Sequence, residues 1–433
     1  MLDNKISNSF FDFTSKLTTW FPRGGAWLFD HTLIPAVGNP LVAKLTERHN
    51  FNTLKSIKAF QRILVVSDIH IGDAILAAGG VAVFRDFFPE ARIDYVVKKQ
   101  VACLFEGNPD ITNLYPFFTG GQFPNESDLE AVKKLAFEND YDLCLNCCPF
   151  IEDSKIFPRG QKVLNMLTAA PKVLINLTGK TGSCHFMYQT YGLAGELLPQ
   201  ITQKVSSRPF NGFPVTLSDE AFSQAQSFLK EQKVPRNQRI YFLNPDTASP
   251  FNRIPFENQL TLLRGLLSLS GHILLGSGFT AKEIEKQLME KLSADEKIRL
   301  TVVPKTLGLD AYAALLDFAD IFISGDTGPL HIGAARKVSK TGNIQFRNKT
   351  YVVSVFGATN ARMSGYDSTD PLFPPANQDC PSRCYVSEST CRNITCMNKM
   401  SKTCKTVRCF EFLDVEKILA DIRAYLKNLQ PAE

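Results

Sequence analysis

Three times in its second half the chain drives a short apolar run into a loop of small and polar residues. The runs are "RIYFLNPDT" (239–247), "HILLGSG" (272–278) and "DIFISGD" (320–326). Helical stretches alternate with them: "PFENQLTLLRGLLSLS" (255–270), "TAKEIEKQLMEKL" (280–292) and "LDAYAALLDFA" (309–319). "KIRLTVV" (297–303) and "TYVVSVFG" (350–357) read as further strands, and "GPLHIGAARK" (328–337) as another helix. Apolar runs this short, alternating with amphipathic helices, specify a parallel sheet covered on both faces. The first half repeats the scheme. "RILVVSD" (62–68) is a strand, and "IGDAILAAGGVAVFRDFFPEA" a turn and helix closed by Pro89. "RIDYVV" (92–97), "YDLCLNC" (141–147) and "KVLINLTG" (172–179) continue as strands.

A chain of 433 residues is too long for one core, so two βαβ-type domains facing each other across a cleft are expected. "VSSRPFNGFPVT" (205–216), with two prolines, a glycine and no periodicity, is the expected linker. The resulting division is an aromatic-rich extension over 1–58, a first domain over 59–206, a second over 207–412 and a last helix over 413–433, "DVEKILADIRAYLKNL" being its core at 414–429.

Composition removes several function classes. A net charge of +5 without a Lys/Arg run or a basic stripe interleaved with aromatics is no nucleic-acid signature, though it suits an anionic substrate or membrane surface. No apolar span of about 20 residues appears. The N-terminus lacks a basic, then apolar, leader pattern, so a cytoplasmic protein with reduced thiols is expected. No GxGxxG opens the first domain, and GxxxxGK[ST], HExxH and GxSxG are absent, which argues against dinucleotide enzymes and P-loop ATPases. Asp140-Tyr141-Asp142 at a strand start does not read as a diphosphate-metal motif.

In open α/β sheets ligands bind beyond the carboxyl ends of the strands. Those ends carry Asn244, Asp246, Thr247, Ser249 and Arg253 after one strand, Gly276, Ser277 and Gly278 after the next, and Asp326, Thr327, Gly328 and His331 after a third. Gly and Ser permit close backbone approach, Arg253 offers a charge-assisted contact to an anion, and a helix starting near Gly328 turns unpaired N–H groups toward a phosphate. Asp326 suits sugar hydroxyls. Read singly, Asp326 and Thr327 could be helix caps and His331 a satisfied packing residue; together they suit a phosphorylated ligand. In the first half "SDIHIGDAI" (67–75) presents Asp68, His70, Gly72 and Asp73 on the cleft side of the first strand. A carboxylate there can take a proton from an attacking hydroxyl, or simply favour the helix dipole. His70 reads as a local surface or hydrogen-bonded residue.

The stretch "ILVVSDIHIGDAILAAGGVAVFRDFFPEARIDYVV", with "DTGPLHIGAA" some 230 residues later and then "SVFGAT", resembles glycosyltransferase family 9, the ADP-heptose heptosyltransferases. The resemblance covers roughly residues 61–430. It implies the GT-B architecture, two Rossmann-like domains, with the last helix crossing back to the first. It implies Asp73 as general base, with Gly72 and His70 on the acceptor side. It implies Thr247 and Arg253 at the donor's phosphates, Gly276 and Ser277 on the nucleotide side, and Asp326, Thr327, Gly328 and His331 around heptose and diphosphate; Asn244, at the same strand end as Thr247, is a further donor-binding candidate. Transfer would be inverting, with no metal needed for catalysis. The chain departs from the family at Ser67, Ile69 and His70, at Arg253 in place of the usual lysine, and in an apparent insertion over 337–349. The donor implied is ADP-heptose, and the acceptor a lipid A–core oligosaccharide at the cytoplasmic face of the inner membrane. A protein acceptor, or a non-catalytic nucleotide-sugar-binding protein, remains the alternative.

Two features stay open. The extension carries Phe10, Phe11, Phe13, Trp20, Phe21, Trp27, Leu28 and Phe29 with Lys16 and Arg23; it either packs on the body or rests in a membrane interface. Of 11 cysteines, Cys380, Cys384, Cys391, Cys396, Cys404 and Cys409 crowd one loop, 380–409. Cys380, Cys384, Cys391 and Cys396 are candidate ligands for a structural Zn or Fe, against disulfides or unliganded thiols. Similar cysteine-rich stretches in the family, one of them iron-binding, favour the metal.

Overall fold

The computed structural model describes residues 60–67, 70–119, 125–147, 173–176, 213–235, 237–247, 252–277, 283–339, 350–357, 359, 361–374, 376, 381–387 and 408–429. The extension 1–58, Asp68, Ser249, Gly278, Cys380, Cys391, Cys396 and Cys404 lie outside them, as does most of the expected linker and insertion.

In chain order the elements are β1 (Arg62–Val66), α1 (Ile71–Phe87), β2 (Arg92–Lys98), β3 (Asn113–Phe118), α2 (Glu126–Glu138), β4 (Leu143–Asn146), β5 (Val173–Asn176), β6 (Pro214–Leu217) and α3 (Asp219–Glu231). Then come β7 (Ile240–Asn244), α4 (Phe256–Leu267), β8 (His272–Gly276), α5 (Ile284–Glu290), α6 (Ala294–Ile298), β9 (Leu300–Val303), α7 (Leu309–Phe318), β10 (Ile321–Gly325) and α8 (Gly328–Ala334). β11 (Arg336–Ser339), β12 (Tyr351–Phe356), α9 (Ala361–Ser364), β13 (Ser382–Val386) and α10 (Val415–Asn428) complete the set.

Both large sheets are parallel. The first runs β3-β2-β1-β4-β5 and the second β13-β12-β10-β7-β8-β9. In each, strand order reverses beside the first strand of that sheet: between β1 and β4, and between β7 and β10. These are the switch points at which loops splay apart and leave a crevice. The loops after β1, β7 and β10 therefore hold most of the residues singled out from sequence.

α1 is apolar nearly all round, with Ala74, Ile75, Ala77, Ala78, Val81 and Val83 buried, as a helix enclosed between two layers must be. The Tyr95 hydroxyl of β2 donates to the Ala74 carbonyl at 2.6 Å and fixes the first turn of α1 over the sheet. One continuous core joins the domains, from Ile63, Ile75 and Tyr95 to Phe213, Phe242, Phe322 and Leu330.

Several expectations are revised. Residues 214–217 of the expected linker form β6, which pairs in parallel with β11 over Pro214↔Arg336 to Leu217↔Ser339. Pro214 begins that strand, a place where a missing N–H is tolerated. The helix expected over 328–337 stops at Ala334 so that β11 can pair. The strand expected over 297–303 is only Leu300–Val303, because Ser293 and Glu296 close a capping box that starts α6. β13, inside the cysteine-rich stretch, is a strand the sequence did not announce. The last helix, expected to cross back, lies on the second domain: Val415, Ile418, Leu419 and Ile422 join the cluster of Leu260, Leu263 and Ile273. Tyr425 stacks on Tyr351 at 4.5 Å, and Arg239 donates to the Leu426 carbonyl at 2.9 Å. The apolar stripe of α10 is satisfied by its own domain's sheet and α4.

A candidate sugar-transfer site between two switch points

The first turn of α1 and the N-terminal turn of α8 meet face to face. Each brings a glycine to the contact. A Cβ on Gly72 would stand 2.5 Å from Cδ2 of His331, and one on Gly328 would stand 2.9 Å from Cβ of Ile71. Only residues without a side chain allow the two turns to approach so closely. Asp73, one residue beyond Gly72, is thereby set beside the loop after β10.

Asp73 is partly buried, and its carboxylate accepts a hydrogen bond from the backbone N–H of His70, the residue that starts α1. Burial pushes its pKa up to about 6; His331 pulls it back, Asp326 adds to the rise, and the His70 N–H and Lys98 lower it. The carboxylate therefore feels groups from both domains. His331 is 4% exposed. Its Nδ1 lies 2.8 Å from the Tyr366 hydroxyl and its Nε2 3.6 Å from Oδ1 of Asp326. Asn252 donates through Nδ2 to Oδ2 of Asp326 at 3.3 Å and to its carbonyl at 3.4 Å. Thr327 occupies the N-cap of α8 without a side-chain capping bond, so its hydroxyl is not used as the simple cap reading required.

A second group of residues adjoins this one through Asn252. Arg253 does not project alone. Its Nε and Nη2 both reach Oδ1 of Asp246 at 2.5 Å, and Nη2 also donates to the Thr247 carbonyl at 3.3 Å. Asp246 is fully buried, so the guanidinium is anchored as much as it is presented. Asn244 donates to the Asp246 carbonyl at 3.1 Å and to Ser324 Oγ at 3.0 Å, tying the ends of β7 and β10. Gly276 lies next to Asn244 Oδ1, and Ser277 turns its hydroxyl onto the Val303 carbonyl at 2.5 Å, fastening β8 to β9. His70, which precedes α1, is exposed.

Asp73, Gly72, Asp326, Gly328 and His331 thus converge, with Asn244, Thr247 and Arg253 in the adjoining loop and Gly276 and Ser277 one strand further. Asn252, Tyr366 and Lys98 were not singled out from sequence. Asn252 stood next to Arg253 in a marked loop; Tyr366 had no local signal at all. Of the candidate metal ligands only Cys384 is described. Burial pushes its thiol up to about 12, and a Cβ on Gly365 would come within 2.9 Å of its sulfur. Cys409 is buried in the apolar cluster under α10. Among the described residues no group of three or more His, Cys, Asp or Glu could hold a metal, and no helix is long and apolar enough to cross a membrane.

The model of glycosyltransferase family 9 (heptosyltransferase) matches residues 202–365, which include the site residues from Asn244 to His331 and end one residue before Tyr366. The fold agrees over a longer span. A glycosyl transferase family 9 structure from Veillonella parvula is 18% identical, with 85% of this chain and 98% of that one covered at a TM-score of 0.59. The ADP-heptose lps heptosyltransferase II of E. coli is 13% identical, with 85% and 99% covered at a TM-score of 0.58. E. coli heptosyltransferase WaaC with ADP is 16% identical, with 84% and 99% covered at 0.50. No curated protein sequence matches the chain. The protein is a glycosyltransferase with the two-domain GT-B fold of these heptosyltransferases.

In this glycosyltransferase the Gly72 contact gives a direct test. Gly72→Ala places a methyl 2.5 Å from the His331 ring, which must shift by about an ångström. Displacements of that size at a reacting site cost about 10- to 100-fold in rate. Alanine suits a helix better than glycine, so α1 itself gains slightly. The expected result is a transfer rate down about tenfold or more with an unchanged far-UV circular dichroism spectrum. Wild-type kinetics would show that the contact is unimportant.

Proposed function

We propose that the protein transfers heptose, with inversion, from ADP-heptose to a hydroxyl of the lipopolysaccharide inner core. The observation that carries this reading is the placement of Asp73, a first-domain carboxylate with its pKa pushed up to about 6, against Asp326 and His331 of the second domain. A base with that affinity is ionised at neutral pH yet still takes a proton readily as an alcohol becomes a nucleophile. Asp73 removes the acceptor hydroxyl's proton. The acceptor oxygen bonds to the anomeric carbon as the bond to the diphosphate breaks, and its electron pair leaves with ADP. Asp326 is suited to the sugar hydroxyls. His331, Thr247 and Arg253 are suited to the diphosphate, where charge develops and where fixed donors stabilise most. Asp246 holds Arg253 ready rather than letting it search. ADP in the WaaC structure, which has this fold, agrees with a nucleotide diphosphate donor. The aromatic extension and mildly basic charge suit an acceptor carried on a membrane surface. A structural metal on Cys380, Cys384, Cys391 and Cys396 is part of the same proposal and takes no part in the transfer.

The test is transfer from ADP-heptose to purified lipid A–core acceptor, with an autotransporter protein as the second acceptor. Heptose on the lipid-linked core supports the reading. Heptose only on protein changes the acceptor, and no turnover with either removes the reaction. The pH profile follows from Asp73. Its pKa is raised, so the active carboxylate form is lost as pH falls through about 6. Below that point kcat/KM should drop tenfold per pH unit, measured in overlapping buffers. A flat profile from pH 5 to 7 would exclude Asp73 as the base.

A further inference from the structure

His331 is held at three points of its ring. Its Cδ2 edge faces Gly72, its Nε2 lies 3.6 Å from Oδ1 of Asp326, and its Nδ1 lies 2.8 Å from the Tyr366 hydroxyl. Tyr366 comes from the segment after α9, far from either strand-end loop, and is 0% exposed. Its ring meets Phe213 edge-on at 6.0 Å and the imidazole at 5.8 Å, and its carbonyl accepts from Ser354 Oγ at 3.4 Å. The position therefore has a packing role that phenylalanine would also fill. The hydroxyl adds one thing, a hydrogen-bonding group aimed at a nitrogen of the site histidine.

We propose that Tyr366 is a positioning residue for sugar transfer: its hydroxyl donates to Nδ1 of His331, so the imidazole carries its proton on Nε2 and turns that N–H to the side shared by Asp73 and Asp326. Three features support the assignment. Nε2 faces the Asp326 carboxylate at 3.6 Å, an ion-pair rather than a hydrogen-bond separation, and a carboxylate there favours a proton on that nitrogen over a lone pair. Burial and the nearby Asp326 hold the Tyr366 proton in place, leaving an O–H whose natural acceptor is the unprotonated Nδ1. Turning the ring over would set a carbon against the Tyr366 hydroxyl and a polar nitrogen against Gly72. Among the described residues, the charged and titratable groups facing this cluster include Asp73 from α1, Asp326 from the loop after β10, Tyr366 itself and, beyond Asp73, Lys98 at the end of β2. In the reaction proposed above, the Nε2–H is the donor offered to a substrate oxygen, and the hydrogen bond from Tyr366 keeps it there between turnovers. Which nitrogen of a histidine is protonated is set by what the other one bonds to.

The kinetic part rests on the proposed transfer; the tautomer does not, so the two fail separately. Full-length protein labelled with ¹⁵N-histidine is read by long-range ¹H–¹⁵N correlation, and the signals of His331, one of 6 histidines, are assigned with His331→Gln. The expected wild-type pattern is protonated Nε2 and unprotonated Nδ1. Tyr366→Phe keeps the ring packing and should give averaged nitrogen shifts, with kcat lower by about tenfold and donor KM changed less than twofold. A protonated Nδ1 in wild type overturns the proposal outright and needs no variant, which covers the case of poor folding. An unchanged histidine spectrum in Tyr366→Phe also overturns it, as does a changed spectrum with wild-type kcat.

Discussion

Asp73→Asn is expected to stop sugar transfer while leaving the donor bound and the fold intact. Asparagine keeps the shape of the side chain, and its Oδ1 still accepts the His70 N–H that starts α1. It cannot accept a proton from an alcohol. Positioned general bases contribute about 10²- to 10⁴-fold, so kcat should fall by that range while calorimetric ADP affinity stays within a few-fold. The stability effect has the opposite sign. An acid whose folded pKa is raised costs folding free energy as pH rises from about 4 to about 6, and that cost persists above 6. Asparagine carries no such cost, so at pH 8 the variant should melt at or above the wild-type temperature. Loss of ADP binding would move Asp73 from base to donor ligand. Retained turnover would remove it from the chemistry.

Lys337→Met is expected to be the most damaging single change away from the site. Lys337 of β11 has a fully buried side chain; its Nζ donates to Oδ1 of Asp317 at 2.5 Å and to the Ala313 carbonyl at 2.9 Å. Asp317 is nearly as deep, its pKa is pushed up to about 6 by burial against the pull of Lys337, and its Oδ2 has no hydrogen-bond partner among the described residues. Removing one member of a buried pair leaves the other uncompensated and costs about 3–5 kcal/mol. Without Lys337 the Asp317 carboxyl must rise further. The folded state then takes up a proton over a wider window, and the deficit should grow with pH from about 4 to beyond 6. Urea unfolding at pH 5 and pH 8 would show it. Lys337→Met combined with Asp317→Leu removes both charges and should recover most of the loss. A double variant as weak as the single one would show that shape, not charge, holds β11 in place.

Much of this glycosyltransferase was legible before any coordinates. The alternating apolar runs specified two parallel sheets, because the period and length of a buried strand are local properties. The small and polar residues at the strand ends marked the crevice, and Asp73 could be picked out as a first-turn carboxylate on its cleft side. What stayed hidden involved partners far apart in sequence. β6 pairs with β11 across more than 100 residues, and nothing in four residues of either strand names the other. Arg253 read as a free cation for phosphate; the fold joins it to the buried Asp246. Tyr366 sits in a stretch without periodicity and reaches His331 only because the chain after β12 folds under α8.

The sequence by itself determined the fold class and which side chains stand at the strand ends, since periodicity and side-chain chemistry are written residue by residue. The tertiary structure alone decided which groups meet: Gly72 against His331, a carboxylate from one sheet beside an imidazole from the other, and α10 on its own domain. The physical reason is that burial and pKa arise from the sum of surroundings. For Asp73 those surroundings come from loops more than 250 residues apart, joined by two glycines that let helix ends touch.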